Sequence, residues 1–200
     1  KGASRRYIMS AVDASLKRLQ TDWIDLYQVH QVDPLTPMEE TLSALDDLVR
    51  AGKVRYIGVS NHPAWMVVEA QETARRLNLD RFVSCQDEYS LLVRDADREL
   101  MPMMSRYGLG LLPYFPLACG LLTGKYSRSA MPQGARITET KRFADRYLNE
   151  RNWRVTEALA AFAKARGHSL LELAFSWLLA RPNVPCVIAG ATSPDQVEAN

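Results

Sequence analysis

His30 ends an apolar run, Ser60 and Asn61 end the next, Gln86 with Asp87 and Tyr89 closes a third, Tyr114 a fourth, and Gly190, Thr192 and Ser193 a fifth. None is a strong nucleophile as placed, and no carboxylate pair accompanies them. They are neutral donors and acceptors. A neutral imidazole can polarise a carbonyl oxygen, and Asn and Gln amides can grip a carboxamide such as that of nicotinamide. Tyr114 offers a flat face on which a ring can stack. Lys125 and Arg136, in a Gly/Ser/Pro-rich stretch, can meet phosphates. A helix starting directly after "GATS" presents free N–H groups to an anion. One histidine at a strand end is ordinarily satisfied by a backbone group. Five polar strand ends in succession point to a shared groove for an extended dinucleotide.

The elements that must position these residues alternate. "SRRYIMSAVDASLKRLQ" carries Ile8, Val12, Leu16 and Leu19 at helical spacing. "TDWIDLYQVH" reads as a short buried strand. "TPMEETLSALDDLVRAG" reads as a helix with Thr36 as N-cap, Pro37 in the first turn, Glu39 completing a capping box and Gly52 as the stop. "KVRYIGVSN" is a strand, "PAWMVVEAQETARRLN" a helix opened by Pro63, and "RFVSCQDEYS" a strand. "DADRELMPMMSRYG" is a helix with an internal Pro102, and "LGLLPYFPL" a strand. A loop follows over 118–140, then two tandem helices, "NERNWRVTEALAAFAKARG" and "SLLELAFSWLLARP". The strand "VPCVIAGATS" comes next, and "SPDQVEAN" begins a last helix. Trp65, Trp153 and Trp177 fall on helices as packing groups. Single helices between successive strands imply parallel strands with right-handed crossovers. Ligands then gather at the C-terminal strand ends, in a barrel or a doubly wound sheet alike.

Bulk properties bound the function. The 200 residues suit one domain or most of one, with 47% hydrophobic and 24% charged residues. A net charge of +2 gives no nucleic-acid or anionic-membrane footprint. Cys85, Cys119 and Cys186 lie far apart without a CxxC spacing, which argues against a disulfide framework and a zinc site and fits the cytoplasm. No apolar run approaches the ~20 residues of a membrane span, and no signal peptide is visible. The start at Lys1 and the stop inside a helix suggest a piece cut at both ends. Three motif matches fail. "GLGLLP" has two of the three glycines of a dinucleotide fingerprint and lies inside a strand, and "CGLLTGKY" departs from a phosphate loop at Cys119 and Tyr126. "GVSNH" departs from a nucleophile elbow at His62, which weakens a serine hydrolase built on Ser60.

The strand-end set resembles the aldo-keto reductases. The matching stretches are "DLYQVHQVD", "GKVRYIGVSN", "CQDEYSLL", "PYFPLACGLLTGKY" and "VIAGATSPDQVEAN", in family order. "PLACGLLTGKY" points to the branch holding bacterial reductases and potassium-channel β subunits. The resemblance implies an α/β fold, the (β/α)8 TIM barrel, with residues 1–200 as the C-terminal part of one barrel domain covering strands four to eight. It implies reduction of a small-molecule aldehyde or ketone by NADPH. His30 matches the histidine of an Asp-Tyr-Lys-His tetrad and orients the substrate carbonyl. Ser60, Asn61 and Gln86 match the carboxamide holders, and Tyr114 the ring stacked on nicotinamide. Phe115, Pro116, Leu117, Ala118 and Gly120 match the loop along the pyrophosphate, with Lys125 and Arg136 at the phosphates. Gly190, Thr192, Gln196 and Asn200 match the adenosine end. Phe115 replaces a common Ser, Gln196 an Arg and Ala199 a Glu, which leaves NADH open beside NADP(H). The tetrad's Asp, Tyr and Lys belong to the first three barrel strands, upstream of Lys1, and Tyr7 is no substitute. These residues alone are therefore expected to reduce carbonyls poorly. A non-catalytic NADPH-binding subunit that senses redox state is the alternative. Oligomeric state is not encoded in any visible feature.

Overall fold

A computed structural model describes residues 2–200. The chain divides into two compact units. The first comprises the residues up to Asp87 together with Glu99–Leu111. It contains α1 (Arg5–Leu19), β1 (Ile24–Val29), α2 (Met38–Arg50), β2 (Val54–Ser60), α3 (Ala64–Leu77), β3 (Phe82–Gln86), α4 (Leu100–Tyr107) and β4 (Gly110–Leu111). The strands form one parallel sheet in the order β1-β2-β3-β4, as single-helix connections require. Gln28 stands opposite Gly58, Gly58 opposite Ser84, and Ser60 opposite Gln86. The core of this unit gathers Val12, Leu42, Leu45, Leu48, Ile57, Val59, Val67, Cys85, Met104 and Leu111, all buried. Removal of their apolar surface from water is the main stabilising term.

Several local expectations need correction. β1 is half-buried rather than buried, because it forms one edge of the sheet. Thr36 does not cap α2. Its hydroxyl donates to the Asp33 carboxylate at 2.7 Å, which also accepts the N–H groups of Ala3 and Leu35, and Pro37 takes the cap position. Those three donors hold the Asp33 carboxyl below its usual range. Gly52 does end α2, with φ 72°. The helix expected over "DADRELMPMMSRYG" is broken into a 3-10 turn, Asp95–Asp97, and α4. Pro102 then sits in the first turn of α4, where its missing N–H costs nothing. β4 shrinks to two residues because Pro113 and Pro116 cannot donate to a ladder. Trp65 is 63% exposed and is not a packing group.

The second unit comprises Glu88–Arg98 and Leu112–Asn200. Its elements are the turn at Asp95–Asp97, a kinked 3-10 segment at Ala118–Thr123, α5 (Arg136–Glu139), α6 (Lys141–Tyr147), α7 (Glu150–Lys164), α8 (Leu170–Leu179) and α9 (Pro194–Ala199). The stretch over 118–140 is thus partly ordered into turns, and α6 lies where the sequence shows no clear period. Leu121, Leu122, Ile137, Tyr147 and Ala174 build its core, with Trp153 packed against it. α8 opens with a full capping box between Ser169 and Glu172. Trp177 stacks on Tyr89 with ring centroids 5.1 Å apart, and the Arg94 guanidinium lies over the Trp177 ring. The fifth expected strand is not formed. Val184–Thr192 is irregular, with Ile188 N–H donating to the Pro113 carbonyl at 3.1 Å.

The three thiols are unpaired: Cys85 and Cys119 are buried and Cys186 is exposed. Burial, aided by the nearby Asp87 charge, pushes the Cys85 thiol up to about 12. A disulfide reagent under native conditions should therefore modify Cys186 rapidly and spare Cys85 and Cys119 until the chain is unfolded, as read by thiol titration.

Candidate functional site

Within the first unit the sheet delivers the expected residues together. Ser60 and Gln86 are register partners at the C-terminal ends of β2 and β3, and His30 directly follows β1. Asn61 leaves β2 in the left-handed conformation, φ 57°. That unusual backbone turns its amide across the strand ends. Asn61 Nδ2 donates to the His30 carbonyl at 3.0 Å and to Ser60 Oγ at 2.8 Å. Ser60 Oγ–H donates in turn to the Gln86 carbonyl at 2.6 Å. Ser60 is only 2% exposed, so its hydroxyl braces Gln86 from within. Asn61 N–H donates to the Asp87 carboxylate, which burial nevertheless pushes up to about 7.

Two groups of this cluster face outward. His30 is exposed, and among the described residues no group pairs with its ring; only its carbonyl is used. The ordinary reading of a strand-end histidine tied by its side chain does not hold. Gln28 Nε2 donates to Gln86 Oε1 at 2.7 Å, and the other end of the Gln86 amide has no partner among the described residues. Ser60 has no imidazole against its hydroxyl. The His62 ring bonds the Ser60 carbonyl instead, Nδ1 to oxygen 2.8 Å, so the base a serine hydrolase needs is absent there. Burial pulls the His62 ring below its usual range. Gln28, which joins the cluster through Gln86, was not singled out from the sequence; its period-2 spacing to His30 was the available signal.

The second unit holds the remaining predicted residues. Tyr114 and Phe115 meet edge to face, 5.2 Å between centroids, and Phe115 meets Phe143 likewise at 5.5 Å. Phe115, Ala118 and Cys119 all adopt positive φ, 51°, 47° and 55°. Three strained non-glycine residues so close together are characteristic of a loop shaped for function. Pro116 and Ala118 are buried and Leu117 is half-buried. Gly120 has φ 101°, and a Cβ there would come within 3.3 Å of the Tyr126 ring. Arg136 lies over Phe115 and Phe143, 5.1 and 5.2 Å away, and Lys125 over Tyr126 at 5.3 Å. Neither cation pairs with a carboxylate among the described residues, whereas Arg128 is held by Glu150 and Glu157 at 2.7 and 2.8 Å. Gln196 Oε1 accepts from Thr192 N at 2.8 Å, and Asn200 Nδ2 donates to the Gly190 carbonyl at 3.5 Å, so these four lie together around the start of α9. Among the described residues no group of three or more His, Cys, Asp or Glu is arranged to hold a metal, and no helix is long and apolar enough to cross a membrane.

Comparison with known proteins matches this arrangement to one family. The model of the Aldo/keto reductase family matches residues 1–200. A rice protein (Oryza sativa subsp. japonica) named a probable voltage-gated potassium channel subunit beta is 38% identical across 100% of the chain, which covers 62% of that relative. The L-glyceraldehyde 3-phosphate reductase of Escherichia coli K12 is 35% identical across 100% of the chain, covering 58% of it. The aldo-keto reductase dtxS3 of Metarhizium robertsii is 36% identical across 95% of the chain, covering 51% of it. The chain belongs to the aldo/keto reductase family, and it spans between half and two thirds of the length of these relatives. The family fold is the (β/α)8 barrel, with which four consecutive parallel strands separated by helices are consistent.

Proposed function

We propose that the protein containing this chain is an oxidoreductase that reduces aldehydes or ketones to alcohols with NADPH, and that this chain carries its cofactor-holding residues. The observation that carries the reading is a pair of side chains on one braced cluster, the exposed His30 ring and the Gln86 amide, at the C-terminal ends of β1 and β3 on either side of β2. A nicotinamide carboxamide fits this cluster, since the Gln86 amide can donate to its oxygen or accept from its nitrogen while Ser60 and Asn61 hold Gln86 and the His30 backbone in place. Lys125 and Arg136, cations without acidic partners among the described residues, fit phosphates. Tyr114 takes the nicotinamide ring, Phe115–Ala118 and Gly120 the pyrophosphate, and Gly190, Thr192, Gln196 and Asn200 the adenosine. Bound in this way, NADPH supplies the hydride. His30 donates a hydrogen bond to the substrate carbonyl oxygen, polarising it and placing its carbon, and the proton that completes the alcohol comes from the tetrad tyrosine that the resemblance assigns to the first three barrel strands. The unpaired thiols accord with work in the cytoplasm.

The test is loss of absorbance at the nicotinamide band when the full-length protein meets NADPH and a panel of aldehydes and ketones. Oxidation with at least one carbonyl is expected; none with any would reject a reductase. The 38% identity to a channel β subunit favours a second reading, a subunit that binds NADPH to report redox state. Tight NADPH binding without turnover would select it.

A further inference from the structure

A cavity of about 190 Å³ opens in the first unit between the loops that follow β1 and β2 and the first turns of α2 and α3. Its polar lining side chains are Asp33, Thr36, Thr41, His62 and Glu69. None of them belongs to the set assigned above to the nucleotide. The direction of each hydrogen bond here is settled by its partner. A carbonyl can only accept, so His62 Nδ1, 2.8 Å from the Ser60 carbonyl, carries the ring proton. Burial holds the ring below its usual range, so at neutral pH Nε2 is a bare acceptor. His62 is only 6% exposed, and among the described residues nothing meets Nε2. Thr41 Oγ1 spends its proton on the Ala3 carbonyl at 3.0 Å, and Thr36 Oγ1 on the Asp33 carboxylate at 2.7 Å. Asp33 is kept ionised by its three donors, and Glu69 is exposed. The lining side chains therefore offer acceptors and no free donor, and among the described residues no lysine or arginine lines the cavity. A buried lone pair without a donor is costly, and only an occupant rich in N–H or O–H can meet this set.

We propose that this cavity binds a primary ammonium group carried on a short apolar stem. The three N–H donors of such a group match His62 Nε2 and the carboxylates of Asp33 and Glu69, and its charge meets two anions. The stem lies against Met38 and Met66, whose flexible thioethers adapt to the chain they meet. A carboxylate ligand would face like charges here, and an alcohol brings one donor and no charge. The site does not depend on the nicotinamide reading.

The test titrates the full-length protein at pH 7 with n-butylammonium, 1-butanol and n-butyrate, which differ in the head group. n-Butylammonium should bind saturably with a Kd of about 1 mM, roughly tenfold tighter than 1-butanol, and butyrate should not bind. Glu69→Gln, at an exposed position, should weaken n-butylammonium about threefold. His62→Phe should weaken it about tenfold. In the wild type the 15N resonance of His62 Nε2 should move as the site fills, a readout that needs no variant to fold. N-acetyl-lysinamide carries the same head group on a peptide unit. Tighter binding of it than of n-butylammonium would support the site as one for a lysine side chain of another protein, and weaker binding would support a free amine. A His62 signal unmoved at saturation, or 1-butanol bound as tightly as n-butylammonium, would overturn the proposal. So would an absence of saturable binding, which would leave the cavity to water, or affinity unchanged in both variants.

Discussion

His30→Ala should lower kcat for carbonyl reduction by about 10²–10³ while leaving the Kd for NADPH and the melting temperature nearly unchanged. The imidazole is exposed and among the described residues pairs with nothing, so its loss removes no packing and strands no partner. The backbone that places it is tied by Asn61 to its carbonyl, which the substitution keeps. A donor aimed at a developing alkoxide acts chiefly in the transition state, so the effect belongs in kcat rather than in cofactor binding. His30→Gln retains an N–H donor and should recover part of the loss. Steady-state kinetics on the full-length protein, with NADPH affinity measured separately, checks this. A fall in cofactor affinity matching the fall in kcat would place His30 in cofactor binding instead.

Asp87→Asn should remove a loss of stability that wild type suffers as pH rises through about 7. Burial raises the Asp87 carboxyl to about 7 in the folded chain, against an unfolded value near 3.8. The folded state therefore holds the proton more tightly than the unfolded state between those values. The stability this confers is full below about pH 4 and is lost as pH rises through about 7. Above that point the carboxylate sits buried with the Asn61 N–H as its hydrogen-bond donor. Asparagine keeps an acceptor for that N–H and removes the charge. The variant should match wild type near pH 4 and exceed it by about 1–3 kcal/mol at pH 8, as read by urea unfolding at the two pH values. Wild type becoming the more stable of the two as pH rises would show that Asp87 has an unrecognised cationic partner.

The legible part of the fold was the part dictated by short-range rules. Apolar period and Gly52 placed the helices, and polar endings placed β1, β2 and β3. What escaped depends on competition between groups. Thr36 has the composition of a cap, but Asp33 is the better acceptor for its hydroxyl. "LGLLPYFPL" and "VPCVIAGATS" are apolar enough for strands, yet prolines remove donors from the first, and the second forms no strand ladder among the described residues, Ile188 N–H reaching the Pro113 carbonyl as a single bond. At the site, strand-end chemistry named His30, Asn61 and Gln86. It could not name Gln28, whose bond to Gln86 joins residues 58 positions apart. Nor could it show that Ser60 is spent internally, since that follows from register.

The most direct test of the central claim, that these strand ends hold a nicotinamide, is a structure of the full-length protein with NADP+. The carboxamide should lie within about 3.2 Å of the Gln86 side-chain amide, with the His30 ring facing the C4 edge of the nicotinamide. A nicotinamide ring bound away from Gln86 and His30 would contradict it.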